Sequence, residues 1–172
     1  TKMCFAVYIG TDRPLPTSQW DAQARRFYLT PLAEKDEPAR VHFSKPYIYY
    51  AGSHLQCSCG FFHNKMVFTD DSDMMRDYEE SQRSARALVE VLEQALSTSD
   101  TVEVFVTWEG RQSEPPARRR NMAPEDFLSP LRRYDEDADE EIQITDAPVE
   151  EQDFIVVQKR DDGRTRSRTV RV

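Results

Sequence analysis

The segment 47–63, with the sequence YIYYAGSHLQCSCGFFH, holds two of the three cysteines and two of the three histidines of the chain. These four residues are His54, Cys57, Cys59 and His63. Thiolate sulfur and imidazole nitrogen are preferred ligands of tetrahedral zinc, and ligands clustered in one turn need little chain ordering to meet. These four side chains are therefore a candidate zinc site.

The spacing of the two cysteines leaves two other interpretations open. Only Ser58 separates Cys57 from Cys59, whereas paired zinc-binding cysteines usually have two or more intervening residues. The loop could instead support thiol chemistry, with one cysteine as nucleophile, the other as resolving thiol, and a histidine lowering the thiol pKa. In the third interpretation the cysteines are small residues packed under a tight turn and the histidines make local hydrogen bonds. Cys4 could add a further ligand from the first strand, but its place inside an apolar run favours packing in the core.

Other functional signatures are weak in this sequence. It contains no glycine-rich phosphate loop, nucleophile elbow, H-E-x-x-H motif or EF-hand loop, so whether the protein is an enzyme stays open. The cluster Arg118, Arg119 and Arg120 could hold phosphate groups or an acidic partner, but basic clusters on acidic proteins are usually plain surface. The alternative to a metal or thiol site is a noncatalytic interaction or regulatory domain that contacts a protein partner and in which the Cys/His loop is structural.

Composition and charge limit the classes of partner and the cellular location expected for this protein. The 172 residues carry a net charge of −8, which opposes the phosphate backbone, so nucleic acid is not expected as a partner. No apolar run approaches the roughly 20 residues that span a bilayer, and no segment has the pattern of a secretory signal. Three cysteines, an odd number, do not form a disulfide framework, so a reducing cytoplasm is the expected location. The oligomeric state is not specified by the sequence.

Two elements must position the Cys/His loop. The unbroken apolar run 3–9 predicts a central strand buried on both faces, with Cys4, Ala6 and Tyr8 on one face. Apolar residues in steps of three and four, preceded by short oxygen-bearing side chains, predict an amphipathic helix over about residues 72–97.

The other predicted strands are short and apolar or alternating. They cover residues 26–30, 40–43, 47–50, 61–68, 102–108, 154–157 and 165–172. If the strands before and after the helix are parallel neighbours, they form a right-handed crossover unit. Composition marks charged, loop-rich segments at about 110–153 and a basic C-terminal segment at 159–172. We predict one α+β domain over residues 1–172, a mixed β-sheet with the long helix packed on it.

Overall fold

A computed structural model describes residues 3–134 and 141–161. Within this part of the chain, nine strands and one α-helix form a single α+β arrangement. In chain order the elements are β1 (Phe5–Thr11), β2 (Tyr28–Pro31), β3 (Tyr47–Gly52), β4 (Met66–Phe68), α1 (Ser72–Leu96), β5 (Val102–Trp108), β6 (Arg118–Met122), β7 (Leu131–Arg133), β8 (Ile142–Thr145) and β9 (Asp153–Val157).

The main sheet has six strands in the order β2-β3-β1-β5-β9-β6. Its pairs are antiparallel except for the parallel pair of β6 and β9, so the sheet is mixed as predicted. β1 lies between β3 and β5 and is buried on both faces, which confirms the central strand. Val7 and Ile9 belong to the larger core cluster, and Ala6 and Tyr8 belong to the cluster on the opposite face.

The long helix α1 packs its apolar face into the larger core cluster. Leu88 and Leu92 are fully buried there. The helix begins after Asp71, whose carboxylate accepts the amides of Asp73 and Met74 and so satisfies two free N–H groups of the first turn. The predicted helix is therefore confirmed to within one residue. No described helix combines the length and apolar composition needed to cross a membrane.

Three local predictions differ from the structure. β4 joins a separate antiparallel sheet in the order β4-β8-β7, so it is not a neighbour of β5 and the two do not form a crossover unit. Residues 40–43 are not a strand, because Glu34–His42 form a 3-10 helix with acidic side chains in its first turn and basic ones in its last. The segment 110–153, predicted as loop-rich, contains β6, β7 and β8. The predicted strand 165–172 lies outside the described residues.

Candidate metal and thiol site

Three cysteine side chains converge at one end of β1. The Sγ atoms of Cys4, Cys57 and Cys59 all lie within 4.8 Å of one another, and each thiol is free and half-buried. In a tetrahedral zinc site with Zn–S bonds of about 2.3 Å, neighbouring sulfurs lie about 3.8 Å apart. Small side-chain rotations therefore suffice to bring the three sulfurs around one ion.

The loop after β3 folds onto β1 because it completes hydrogen bonding along that edge. The β1–β3 register runs from Thr11 to Val7, which pairs with Ala51. Ser58 Oγ then accepts the Val7 amide at 2.9 Å and donates to the Ala51 carbonyl at 2.6 Å. Two residues earlier, the Phe5 amide donates to Cys59 Sγ at 3.1 Å. Side chains of the loop thus take the place of a strand, and they hold Cys59 beside the start of β1.

Ser53 fixes the turn that carries Cys57. Its amide and its hydroxyl both donate to the Cys57 carbonyl, at 2.9 Å and 2.6 Å. The same hydroxyl oxygen accepts the Gly60 amide at 3.2 Å. Gln56 adopts a positive φ of 67°, and its carbonyl accepts the Tyr28 hydroxyl at 2.6 Å. The turn is therefore held by contacts to its own backbone and to β2.

The three thiols differ in pKa because their hydrogen bonds and burial differ. A hydrogen bond from the Cys57 thiol, together with the Phe5 amide and the Cys4 thiol, lowers the pKa of Cys59 to about 6 despite burial. The hydrogen bond to Cys59 and burial raise the pKa of Cys57. Burial, followed by the charge of Cys59, raises the pKa of Cys4. Cys59 is therefore the thiolate of the cluster at neutral pH, with two thiol donors beside it.

A cavity of about 820 Å³ gives access to the cluster. All three cysteines line it, together with an aromatic group, three further apolar side chains and a charged rim. The aromatic group consists of Trp20, Tyr28 and Tyr50. At the rim, Lys35 and Glu109 form an ion pair at 3.4 Å. The thiols are thus half-buried but not sealed in apolar packing, which leaves room for a ligand next to the sulfurs.

His54 lies outside the sulfur cluster. Its Nδ1 is 2.8 Å from Ser84 Oγ, its Nε2 is 3.8 Å from Glu80, and burial lowers its pKa. Serine, histidine and glutamate together have the composition of a hydrolase triad. Here Ser84 is only 2% exposed and its hydroxyl oxygen also accepts the His54 amide at 3.1 Å. These contacts anchor the loop to α1 and leave no accessible nucleophile.

His63 lies between α1 and β8. Its Nδ1 is 3.2 Å from Thr145 Oγ1, its ring packs edge-on against Tyr78, and its buried Nε2 has no hydrogen-bond partner among the described residues. Burial lowers its pKa. His54, Cys59 and His63 border one cavity of about 260 Å³. In the described part of the chain, however, the only group of three or more potential ligands whose ligand atoms lie within 4.8 Å of one another consists of the three cysteines.

The structure therefore brings two of the four predicted ligands, Cys57 and Cys59, next to Cys4, and it places His54 and His63 outside this group. Cys4, which the sequence assigns to the core, precedes β1 and is half-buried in the cluster. The arginine cluster has intramolecular partners: Arg118 pairs with Asp153, Arg119 stacks on Phe154, and Arg120 contacts Asp153 and the carbonyl of residue 148. The sequence matches no protein-family model, and comparison with curated proteins and solved structures finds no significant match.

Proposed function

We propose that this protein binds a zinc ion through the thiolates of Cys4, Cys57 and Cys59. The observation that carries the proposal is the mutual approach of the three sulfur atoms within 4.8 Å, on two segments far apart in sequence. Sulfur donors favour soft and borderline metals such as zinc over calcium or magnesium, which prefer oxygen ligands. Retention of zinc by thiolates also agrees with the reducing cytoplasm that the cysteine count predicts.

The surroundings of the sulfurs support this role. Zinc ligands are deprotonated, and the Cys59 thiolate is already favoured by its hydrogen bonds, so binding would release protons mainly from Cys4 and Cys57. The amide of Phe5 supplies the kind of outer hydrogen bond that orients metal-bound sulfur. Three protein ligands leave a fourth position, and the adjoining cavity could supply water or a small ligand to it.

A second candidate function is thiol chemistry at Cys59. The Cys59 sulfur accepts the Phe5 amide, its pKa is the one lowered among the three thiols, and Cys59 lines the open cavity. Its thiolate would attack an electrophile such as a peroxide, taking one oxygen to become a sulfenic acid while hydroxide leaves. The thiol of Cys4 or Cys57 would then displace water from that sulfenic acid to form a disulfide, so the two electrons lost by the sulfurs are taken by the peroxide.

Metal content and thiol reactivity distinguish these functions. The full chain is purified without added metal, its zinc is measured, and its native thiols are alkylated. One zinc ion per chain that is released on alkylation supports the zinc site, and Cys4→Ser should lose that zinc. Protein that neither contains nor takes up zinc contradicts it. In that case one fast-reacting thiol favours nucleophilic chemistry, whereas three unreactive thiols favour the interaction domain in which the loop is structural and a protein partner is bound.

A further inference from the structure

A second cavity, of about 310 Å³, lies next to the His54 side chain. Three arginines line it: Arg25 and Arg26 from the segment before β2, and Arg83 from α1. His54, Glu80 and Ser84 complete its polar lining. None of the cysteines borders this space, so the arginine cavity is distinct from the sulfur cluster.

The three arginines differ from most of the other arginines that the structure describes, which pair with a carboxylate. Seven arginines elsewhere pair with a carboxylate: Arg40, Arg76, Arg111, Arg118, Arg120, Arg132 and Arg160. Within residues 3–134 and 141–161, Arg25, Arg26 and Arg83 have no such partner. Arg83 follows Glu79 by four residues, a spacing that favours a helical ion pair, yet the pair does not form. In a chain with a net charge of −8, three unpaired cations at one cavity indicate an anionic ligand.

The charges and shape of the cavity define the class of anion. Three arginines and one acidic residue, Glu80, line the cavity, which leaves a surplus of two positive charges. A phosphate monoester carries a charge of about −1.5 to −2 at neutral pH, and guanidinium groups bind its oxygens in pairs. Phe27 and Ala87 provide an apolar wall that a carbon skeleton can contact. The volume is close to the lower end of small-molecule sites, about 300 Å³.

The imidazole of His54 adds a hydrogen-bond donor. Ser84 Oγ accepts the His54 amide, so its hydroxyl hydrogen is free to donate to Nδ1. When the Ser84 hydroxyl donates to Nδ1, the ring proton is on Nε2, which lies 3.8 Å from Glu80. We propose that the arginine cavity binds a small organic phosphate, with Arg25, Arg26 and Arg83 contacting the phosphate group and Phe27 contacting the organic part.

Binding of phenyl phosphate tests the proposal. Calorimetric titration of the full chain with phenyl phosphate at low salt should give saturable binding with one site per chain. Arg83→Gln should weaken binding about tenfold or more, because charge-assisted hydrogen bonds are lost. Arg86→Gln is the matched control: it removes the same charge from the same exposed side of α1, but Arg86 does not line the cavity. It should change the affinity less than about twofold, as expected for a screened surface charge.

Three outcomes would overturn the proposal. They are the absence of saturable binding, an equal effect of Arg83→Gln and Arg86→Gln, and binding of benzoate as tight as that of phenyl phosphate. The variant Cys59→Ser should bind phenyl phosphate with unchanged affinity. The test of the phosphate site is therefore independent of whether the cysteines bind zinc.

Discussion

Replacing Cys4 with serine should remove high-affinity zinc binding, whereas replacing His63 with glutamine should leave it intact. The two variants separate the proposed three-cysteine ligand set from the Cys/His set that residue type and spacing predict. The Cys4 sulfur lies within 4.8 Å of the other two sulfurs, while the His63 imidazole contacts Thr145 and Tyr78. Serine has nearly the size of cysteine but is a much poorer zinc ligand.

The expected magnitude follows from the number of ligands. Structural zinc binding is worth about 10–16 kcal/mol at neutral pH, or roughly 3–4 kcal/mol for each of four ligands. Loss of one thiolate should therefore weaken zinc binding by at least about 100-fold. At a free zinc concentration of about 1,000 times the wild-type Kd, zinc adds about 4.1 kcal/mol of stability, and the same concentration adds only about 1.4 kcal/mol to Cys4→Ser. For a chain of this size those gains correspond to Tm increases of roughly 8–16 °C and 3–6 °C.

The zinc affinity and the increase in Tm caused by zinc can each be measured directly. Competition with a chromophoric chelator gives the zinc affinity, and thermal melts with EDTA or with buffered zinc give the change in Tm. Cobalt(II) added in place of zinc should show sulfur-to-metal charge-transfer absorption that is reduced in Cys4→Ser and unchanged in His63→Gln. The reasoning is refuted if Cys4→Ser keeps wild-type affinity while His63→Gln loses it, because the histidine would then be the ligand.

Three further changes test how the loop is held and how its thiols ionise. In metal-free protein, the alkylation rate of Cys59 should rise with pH around a midpoint of about 6, because its lowered pKa leaves it a thiolate above that pH, and Cys57→Ala should move the midpoint upward. A wild-type midpoint at the ordinary thiol value of about 8.5 would contradict this. Ser58→Ala leaves one buried amide and one buried carbonyl without the Ser58 hydroxyl as partner. It should lower the free energy of unfolding by about 2–4 kcal/mol in urea melts. A loss below about 0.5 kcal/mol would exclude the strand-bridging role. Gly60→Ala places a methyl group 2.8 Å from the His54 ring and should destabilise the protein by about 1–3 kcal/mol, so an unchanged melting curve would show that the turn can move.

The elements that depend on local pattern were predicted well. α1 has an apolar period sustained over several turns, and β1 is an unbroken apolar run, so both signals are contained within their own segments. The short strands were harder because three residues carry little pattern. β4 pairs with β8, more than seventy residues later, and that pairing depends on which strand is available rather than on the sequence of β4 itself.

The candidate site was predicted only in part, because one of its residues is distant in sequence from the others. Residue type alone identified the loop containing Cys57 and Cys59. The third sulfur, from Cys4, lies in the cluster because hydrogen bonds hold the loop against the start of β1. These bonds join residues more than fifty positions apart, and no local spacing encodes them. The nearest sequence signal was the position of Cys4 at the end of an apolar strand, where strand pairing can stop and a loop can approach.

The unusual Cys-x-Cys spacing follows from the function of its middle residue. Ser58 bridges β1 and β3 through its hydroxyl, so the loop is fixed to the sheet at the residue between the two cysteines. Cys57 and Cys59 then lie on either side of this fixed point, and the Phe5 amide holds the second of them. A zinc pair within one turn commonly needs two intervening residues because the loop alone must direct both sulfurs to the ion. Here the sheet edge holds both cysteines, and the third sulfur comes from the residue before β1, so one intervening residue is enough to bring the three sulfurs together.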